Sequence, residues 1–275
     1  MANIDYVGPA RESSFRRMAL AAWNRPSDPS IYGFLDVDMT PGLARIEELR
    51  AEGVRITVTH LIARAFAIAI GRLPDVNVLP RGGRAWQRSS VDVFLQVALP
   101  SEDSLGETDL SGVKIREADK KDLKVFAEEM AERVARVREG RDKAMKASKE
   151  SINRIPRFIL PRFLRFLEWL QVRLNIDLRW MGVARDPFGS VLVTSVGMLG
   201  IDAGLAPLFP VSGPPMVITV GAVQKQAVVD EDDQVVVRPM LRLGGTFDHR
   251  VLDGYHLAMI VKELRSLLSD EIHVL

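Results

Sequence analysis

The chain has no cysteine among its 275 residues. Disulfides, thiolate-bound metal and a cysteine nucleophile are therefore excluded. No apolar run approaches the ~18 uninterrupted residues that a membrane-crossing helix needs. The opening Met1-Ala2-Asn3-Ile4-Asp5-Tyr6-Val7 lacks the charged segment and apolar stretch of a secretory signal. These absences together fit a cytoplasmic location. The histidines and acids show no metal-ligand spacing. The pairs Gly82-Gly83 and Gly244-Gly245 stand alone, without a phosphate loop or dinucleotide fingerprint around them. Bulk charge is almost absent too: 37 basic residues face 36 acidic ones, a net +1. That balance argues against a general nucleic-acid binder.

Apolar residues make up 47% of the chain, enough for a substantial core. Charge is low but uneven. Arg141 to Arg179 holds ten Lys/Arg against four Asp/Glu, which leaves the remainder acidic by about five and marks a local basic surface.

The patterning predicts mixed α/β layers. Ser13 to Trp23 has helical character and ends in a break at Pro26 and Pro29. Ile31–Asp38 reads as a strand. Thr40-Pro41 predicts a helix start, with a capping hydroxyl and then proline at the first helical position, running to about Glu52. Thr57 to Arg72 is apolar on nearly all sides, the pattern of a buried helix. Lys120 to about Ala147 predicts a long amphipathic helix. Val91–Leu99, Ser190–Val196, Met216–Val223 and Val235–Phe247 predict strands. Gly254–Leu268 predicts a closing amphipathic helix.

The segment 151–181 stands apart. Arg157, Arg165, Glu168 and Gln171 fall near one helical stripe, while Phe158, Ile159, Phe163, Leu164, Phe166, Leu167 and Leu170 cover most of the rest. So wide an apolar face needs a large partner. The chain's own oligomer is one, and a membrane surface touched through residues 155–171 is the other.

Chemistry concentrates in Phe247-Asp248-His249-Arg250-Val251-Leu252-Asp253-Gly254. A β-rich run delivers a histidine to a loop exit, and histidine accepts a proton near neutral pH. Asp253 lies four residues on, too close to be assumed a charge-relay partner. Its expected task is to fix the loop.

This octapeptide closely resembles the active-site motif of the acyltransferase (E2) catalytic domain of 2-oxo acid dehydrogenase complexes, within the chloramphenicol-acetyltransferase-like superfamily. The resemblance continues through Phe15-Arg16-Arg17-Met18-Ala19, Leu35 to Thr40, Ile56 to Ala65, Leu73 to Asn77, Val91 to Pro100, Ala118 to Lys121, Ser190 to Gly200 and Pro214-Pro215.

It implies a two-layer fold, a mixed β-sheet with flanking helices, forming one acyltransferase catalytic domain over residues 1–275 with a basic amphipathic insertion at about 151–181. It implies acyl transfer between coenzyme A and a thiol such as dihydrolipoamide, with His249 as general base. Aligning Gly197 on the family's glycine puts Thr194, not Ser195, at the position of a hydroxyl that stabilises the tetrahedral oxyanion. Serine is usual there. Ser195 and Gly197 are assigned to coenzyme A binding. Asp253 matches a structural aspartate whose partner is an arginine of the opening helix, here Arg16 or Arg17. Active sites of this family lie between subunits of a homotrimer.

A lipoyl domain is not expected in this sequence: Asp142-Lys143-Ala144 sits on a charged helix rather than a hairpin tip. A lipoyl group would then come in trans, on another protein. The stretch 104–113 lacks the family's proline-containing segment, which points to an altered acceptor channel. Two other readings stay open: a non-catalytic E2-like scaffold, and an acetyltransferase acting on a small-molecule hydroxyl.

Overall fold

A computed structural model describes residues 3–9, 13, 28–99, 109–139, 156, 159–181, 183, 185–208 and 213–275. The helix expected over Ser13–Trp23, with Arg16 and Arg17, lies outside the described residues apart from Ser13. So do residues 104–108 of the altered-channel segment 104–113 and the tripeptide at 142–144.

Runs rich in β-branched residues build a six-stranded sheet. Its strands are β2 (Ser30–Asp38), β5 (Val93–Leu99), β6 (Asp109–Ile115), β7 (Val191–Ser195), β8 (Met216–Val229) and β9 (Val235–Asp248). The order across the sheet is β2-β9-β8-β7-β5-β6. β7 runs parallel to both β5 and β8, and the other neighbours are antiparallel. A small antiparallel sheet joins β1 (Tyr6–Pro9), β4 (Arg84–Arg88) and β3 (Val78–Arg81) in that order. The patterning missed this small sheet and β6. The runs of the small sheet are short and are broken by Pro80 and the two glycines at 82 and 83, and β6 carries Gly112 in its middle, which masks a two-residue period.

One face of the large sheet carries the helices. They are α1 (Thr40–Ala51), α2 (Val58–Arg72), α3 (Leu123–Arg138) and α5 (Gly254–Leu268). α2 is the centre of the layer and is buried from His60 through Ile70. It contacts β5 and β7 on one side and α1, α3 and α5 on the others. A helix apolar all round has to be enclosed in this way. Ala63, Ala65, Ala67 and Ala69 are fully buried, and such small side chains let neighbouring backbones come close. The two-layer architecture of the resemblance is therefore present.

Several boundaries move for physical reasons. Thr40 is the first residue of α1 rather than its cap, and its hydroxyl caps nothing. Asp38 does that work, accepting the Thr40 amide at 2.8 Å and the Thr40 hydroxyl at 2.6 Å. α3 starts at Leu123 because Asp122 caps it, taking the Val125 amide at 2.7 Å. β8 runs on to Val229 because a bulge between Val220 and Val223 bends the strand without ending it.

A loop over residues 196–208 follows β7 and crosses the sheet on the face opposite the helices. Here backbone lies directly on backbone. A Cβ at Gly197 would sit well under 3.0 Å from the Gly221 carbonyl oxygen, one at Gly221 equally close to Asp202, and one at Gly244 equally close to Gly204. Three glycines are thus required so that this loop can hug β8 and β9.

The segment after α3 contains α4 (Leu160–Glu168), continued by one π-helical turn over Trp169–Arg173. Its far end is tied down twice. Asn175 accepts the Ile4 amide at 2.6 Å and donates to the Ile4 carbonyl at 2.7 Å. Asp186 enters a buried ion cluster with Arg88 and Lys114, and Lys114 also meets Asp92 at 3.2 Å. Burial alone would raise the Asp186 carboxyl. Arg88 and Lys114 outweigh it and hold the pKa at about 2.

Asp186→Asn should therefore be costly. Asn tolerates the positive φ of 43° at this position and leaves Arg88 buried without its main counter-charge. A loss of about 3 kcal/mol is expected from urea midpoints, the low end for breaking a buried pair, because Asp92 remains nearby. The sign with pH follows from a depressed folded value. The stabilisation is complete above the unfolded carboxylate pKa of ~3.9 and is lost as pH falls towards about 2.

Candidate active site

His249 occupies a turn that closes on itself at the end of β9. The Val251 and Leu252 amides both donate to the Asp248 carbonyl, at 3.1 and 2.9 Å. The His249 amide donates to Pro29 and the Asp248 amide to Pro215, each at 2.8 Å. Asp248 is buried, and its carboxylate takes Arg250 at Nε (3.0 Å), Nη2 (2.7 Å) and the backbone amide (3.0 Å). Backbone and flanking side chains thus fix the turn while the His249 ring stays only half-buried.

The ring's Nδ1 lies 2.9 Å from the Leu252 carbonyl oxygen. A carbonyl only accepts, so Nδ1 must carry the proton. The neutral ring is then the tautomer whose lone pair is on Nε2. That is the nitrogen a thiol or hydroxyl would have to meet.

Asp253 is the N-cap of α5. Its Oδ1 accepts the Tyr255 amide (3.1 Å), the His256 amide (3.2 Å) and the His256 ring Nδ1 (2.6 Å). The carboxylate anchors the helix that begins right after the turn. His256, which no motif singles out, sits one helical turn in and shares this carboxylate. The Leu252 carbonyl was equally invisible, since a backbone acceptor leaves no compositional trace. The arginines expected to meet Asp253, Arg16 and Arg17, lie outside the described residues.

Thr194 and Ser195 end β7, both half-buried. Val191 and Val193 point into the helix-side core, so the alternation of a strand puts Leu192 and Thr194 on the opposite face. Thr194 is in register with Thr219 of β8, and Thr219 with Gly244 of β9. Gly197, assigned to coenzyme A, has a structural need of its own: the close approach to Gly221 described above.

Register also measures the distance between the two chemical ends. Asp248 lies four residues beyond Gly244 on β9, and Gly244 is two strands from Thr194. At about 3.4 Å per residue and 4.8 Å per strand, the Asp248 and Thr194 backbones are ~17 Å apart, with His249 in the turn that follows Asp248. Within one chain the imidazole and the Thr194 hydroxyl do not converge on one carbonyl.

A second histidine, on the buried helix, has a plain structural role. His60 sits in the first turn of α2, where its ring takes the Thr57 amide in a capping box. Burial pushes its pKa down to about 4, so it stays neutral and structural.

The sequence matches the family described as 2-oxoacid dehydrogenases acyltransferase (catalytic domain) over residues 6–153 and 188–275. The chain belongs to that family. Residues 154–187, which hold α4 and Asp186, fall outside the match. The dihydrolipoyllysine-residue acetyltransferase component of the pyruvate dehydrogenase complex of Zymomonas mobilis is 25% identical over 251 residues, covering 90% of this chain and 46% of that protein. This acyltransferase domain thus spans less than half the length of that relative. The cubic core of a pyruvate dehydrogenase multienzyme complex superposes with a TM-score of 0.65 at 22% identity, over 97% of this chain and 98% of the other. The dihydrolipoamide acetyltransferase of Azotobacter vinelandii gives 0.62 at 23% identity, over 98% and 93%. At these identities the structures establish the fold.

The outward face of α4 departs from expectation. Glu168 and Gln171, placed on a polar stripe by the sequence, are half-buried, whereas Phe166 and Trp169 are exposed. Burial raises the Glu168 pKa against the pull of Arg250.

Proposed function

We propose that this domain moves an acyl group between coenzyme A and a thiol such as dihydrolipoamide, in a site that two copies of the chain complete. The observation that carries this reading is the His249 ring, oriented through Nδ1 by the Leu252 carbonyl at 2.9 Å on a family-matched acyltransferase domain.

In the proposed step, Nε2 of His249 takes the proton of the acceptor thiol. The thiolate attacks the thioester carbonyl, and a new C–S bond forms as the carbonyl oxygen gains negative charge. The Thr194 hydroxyl of a neighbouring copy donates to that oxyanion. The intermediate collapses, the original C–S bond breaks, and the departing thiolate recovers the proton from His249. Chemistry is thus balanced without any other co-reactant. The ~17 Å between the two ends in one chain is what favours a neighbour as the source of the hydroxyl. A trimer, as in the family, supplies each His249 with one such neighbour. The A. vinelandii enzyme was investigated for the role of a serine, a histidine and an asparagine in its mechanism, the asparagine four residues after the histidine. Asp253 stands at that spacing here. Threonine in place of serine keeps the donor but stiffens χ1.

The test is transfer from acetyl-CoA to free dihydrolipoamide by the native chain, alongside coenzyme A binding. Thioester formation at a rate proportional to protein supports the reading. Absence of turnover with coenzyme A bound would move the acceptor to another chemical class. Absence of both would leave a scaffold.

A further inference from the structure

The insertion carries a surface that acyl transfer does not use. Ile159, Arg162, Phe166, Trp169 and Arg173 recur at alternating spacings of three and four and form one stripe along α4 and the π-helical turn. All are exposed, and no residue of either element is fully buried. Arg165 lies beside the stripe, also exposed. Phe166 and Trp169 stack with ring centroids 6.1 Å apart, so the aromatics form one plate. Beyond the turn, Leu174, Trp180 and Met181 extend the apolar surface, with Trp180 79% exposed.

We infer that this stripe docks on an anionic lipid surface. Three features select that occupant. The outward face mixes aromatics with arginines and carries no acid, Glu168 being half-buried. Tryptophan and arginine together suit the headgroup layer, where rings sit at the boundary and guanidinium groups reach phosphate. Arg162, Arg165 and Arg173 all stand exposed on this segment, so attraction to anionic headgroups would act on this side. A second copy of the chain fits less well. The stripe lies inside residues 154–187, which the family match omits, so assembly shared by the family cannot depend on it. The docking is peripheral: among the described residues no helix is long and apolar enough to cross a membrane.

The anchoring of the insertion gives the surface a fixed orientation. Asn175 and Asp186 tie its far end to the small sheet and to β6, and Glu168 lies within electrostatic reach of Arg250. Docking would therefore hold the catalytic domain in one orientation on the lipid.

The full chain should be floated with vesicles of phosphatidylcholine alone and of equimolar phosphatidylcholine and phosphatidylglycerol, with tryptophan emission as a second readout. Binding to the anionic vesicles only, weakened by salt and with blue-shifted emission, is expected. The variant Phe166→Ser/Trp169→Ser/Trp180→Ser should lose binding. Arg165→Gln/Arg173→Gln should weaken it about 25-fold, roughly fivefold per arginine. Both variants alter exposed side chains and should keep native melting and acyl transfer in solution. Failure to bind anionic vesicles, or binding that survives the aromatic variant, overturns the inference. So does an aromatic variant that lowers oligomer mass, which would make the stripe a subunit contact. Binding of an RNA oligonucleotide in place of vesicles would overturn it as well.

Discussion

Replacing His249 with alanine is expected to lower acyl transfer by about 10³-fold, within the ~10²–10⁴ range of a lost general base. The expectation rests on geometry. Nδ1 is committed to the Leu252 carbonyl, so Nε2 is left as the proton acceptor, and the turn around it is fixed by the Asp248–Arg250 pair. The loss should fall on the rate constant rather than on coenzyme A binding, since the base acts on the proton and not on the nucleotide. His249→Gln, which offers a similar shape and no basic nitrogen, should be as poor as alanine. Rates read with saturating acetyl-CoA, with melting temperature as a control, distinguish lost chemistry from lost folding. A His249→Ala chain that transfers within a few-fold of native would remove the histidine from the mechanism.

The second large effect concerns Thr194. Thr194→Val keeps shape and β-branching but deletes the donor. Removing an oxyanion donor costs about 3 kcal/mol of transition-state stabilisation, roughly 10²-fold in rate. Thr194→Ser keeps the donor and frees χ1, so it should match or exceed the native rate. Ser195 is the internal control. It follows Thr194 in the same strand and points to the opposite face, so at saturating acetyl-CoA Ser195→Ala should leave the rate constant within a few-fold of native, any effect of its assignment to coenzyme A falling on binding alone. A valine variant as active as native, or a serine at 195 that proves the sensitive one, would shift the donor to another group.

Much of this was readable from the residues, for reasons that differ by element. The buried helix α2 announced itself because a helix enclosed on every side cannot carry polar residues at a fixed period. α5 was delimited to the residue because Asp253-Gly254 combines a capping carboxylate with a helix start. The small sheet was missed because its strands are four or five residues long and their alternation is broken by proline and glycine.

The site divided in the same way. His249 and Asp253 stood out through the motif they share, and Thr194 through register with a glycine. What escaped was the part made by backbone and by distance. The Leu252 carbonyl that sets the tautomer belongs to an unremarkable side chain. The ~17 Å separation follows only once strand order and register are known. On α4 the sequence placed Glu168 towards water because it is charged. It is half-buried instead, with the Arg250 charge offsetting part of the cost of burial.

The central claim is a site assembled from two copies, and mixing inactive variants tests it most directly. His249→Ala and Thr194→Val chains, each nearly inactive alone, would be unfolded together in equal amounts and refolded. If the imidazole of one copy works with the hydroxyl of the next, about a quarter of the interfaces in random trimers regain an intact pair. Transfer should then return to roughly that fraction of native. No recovery in mixtures shown to contain hybrid oligomers would contradict the account.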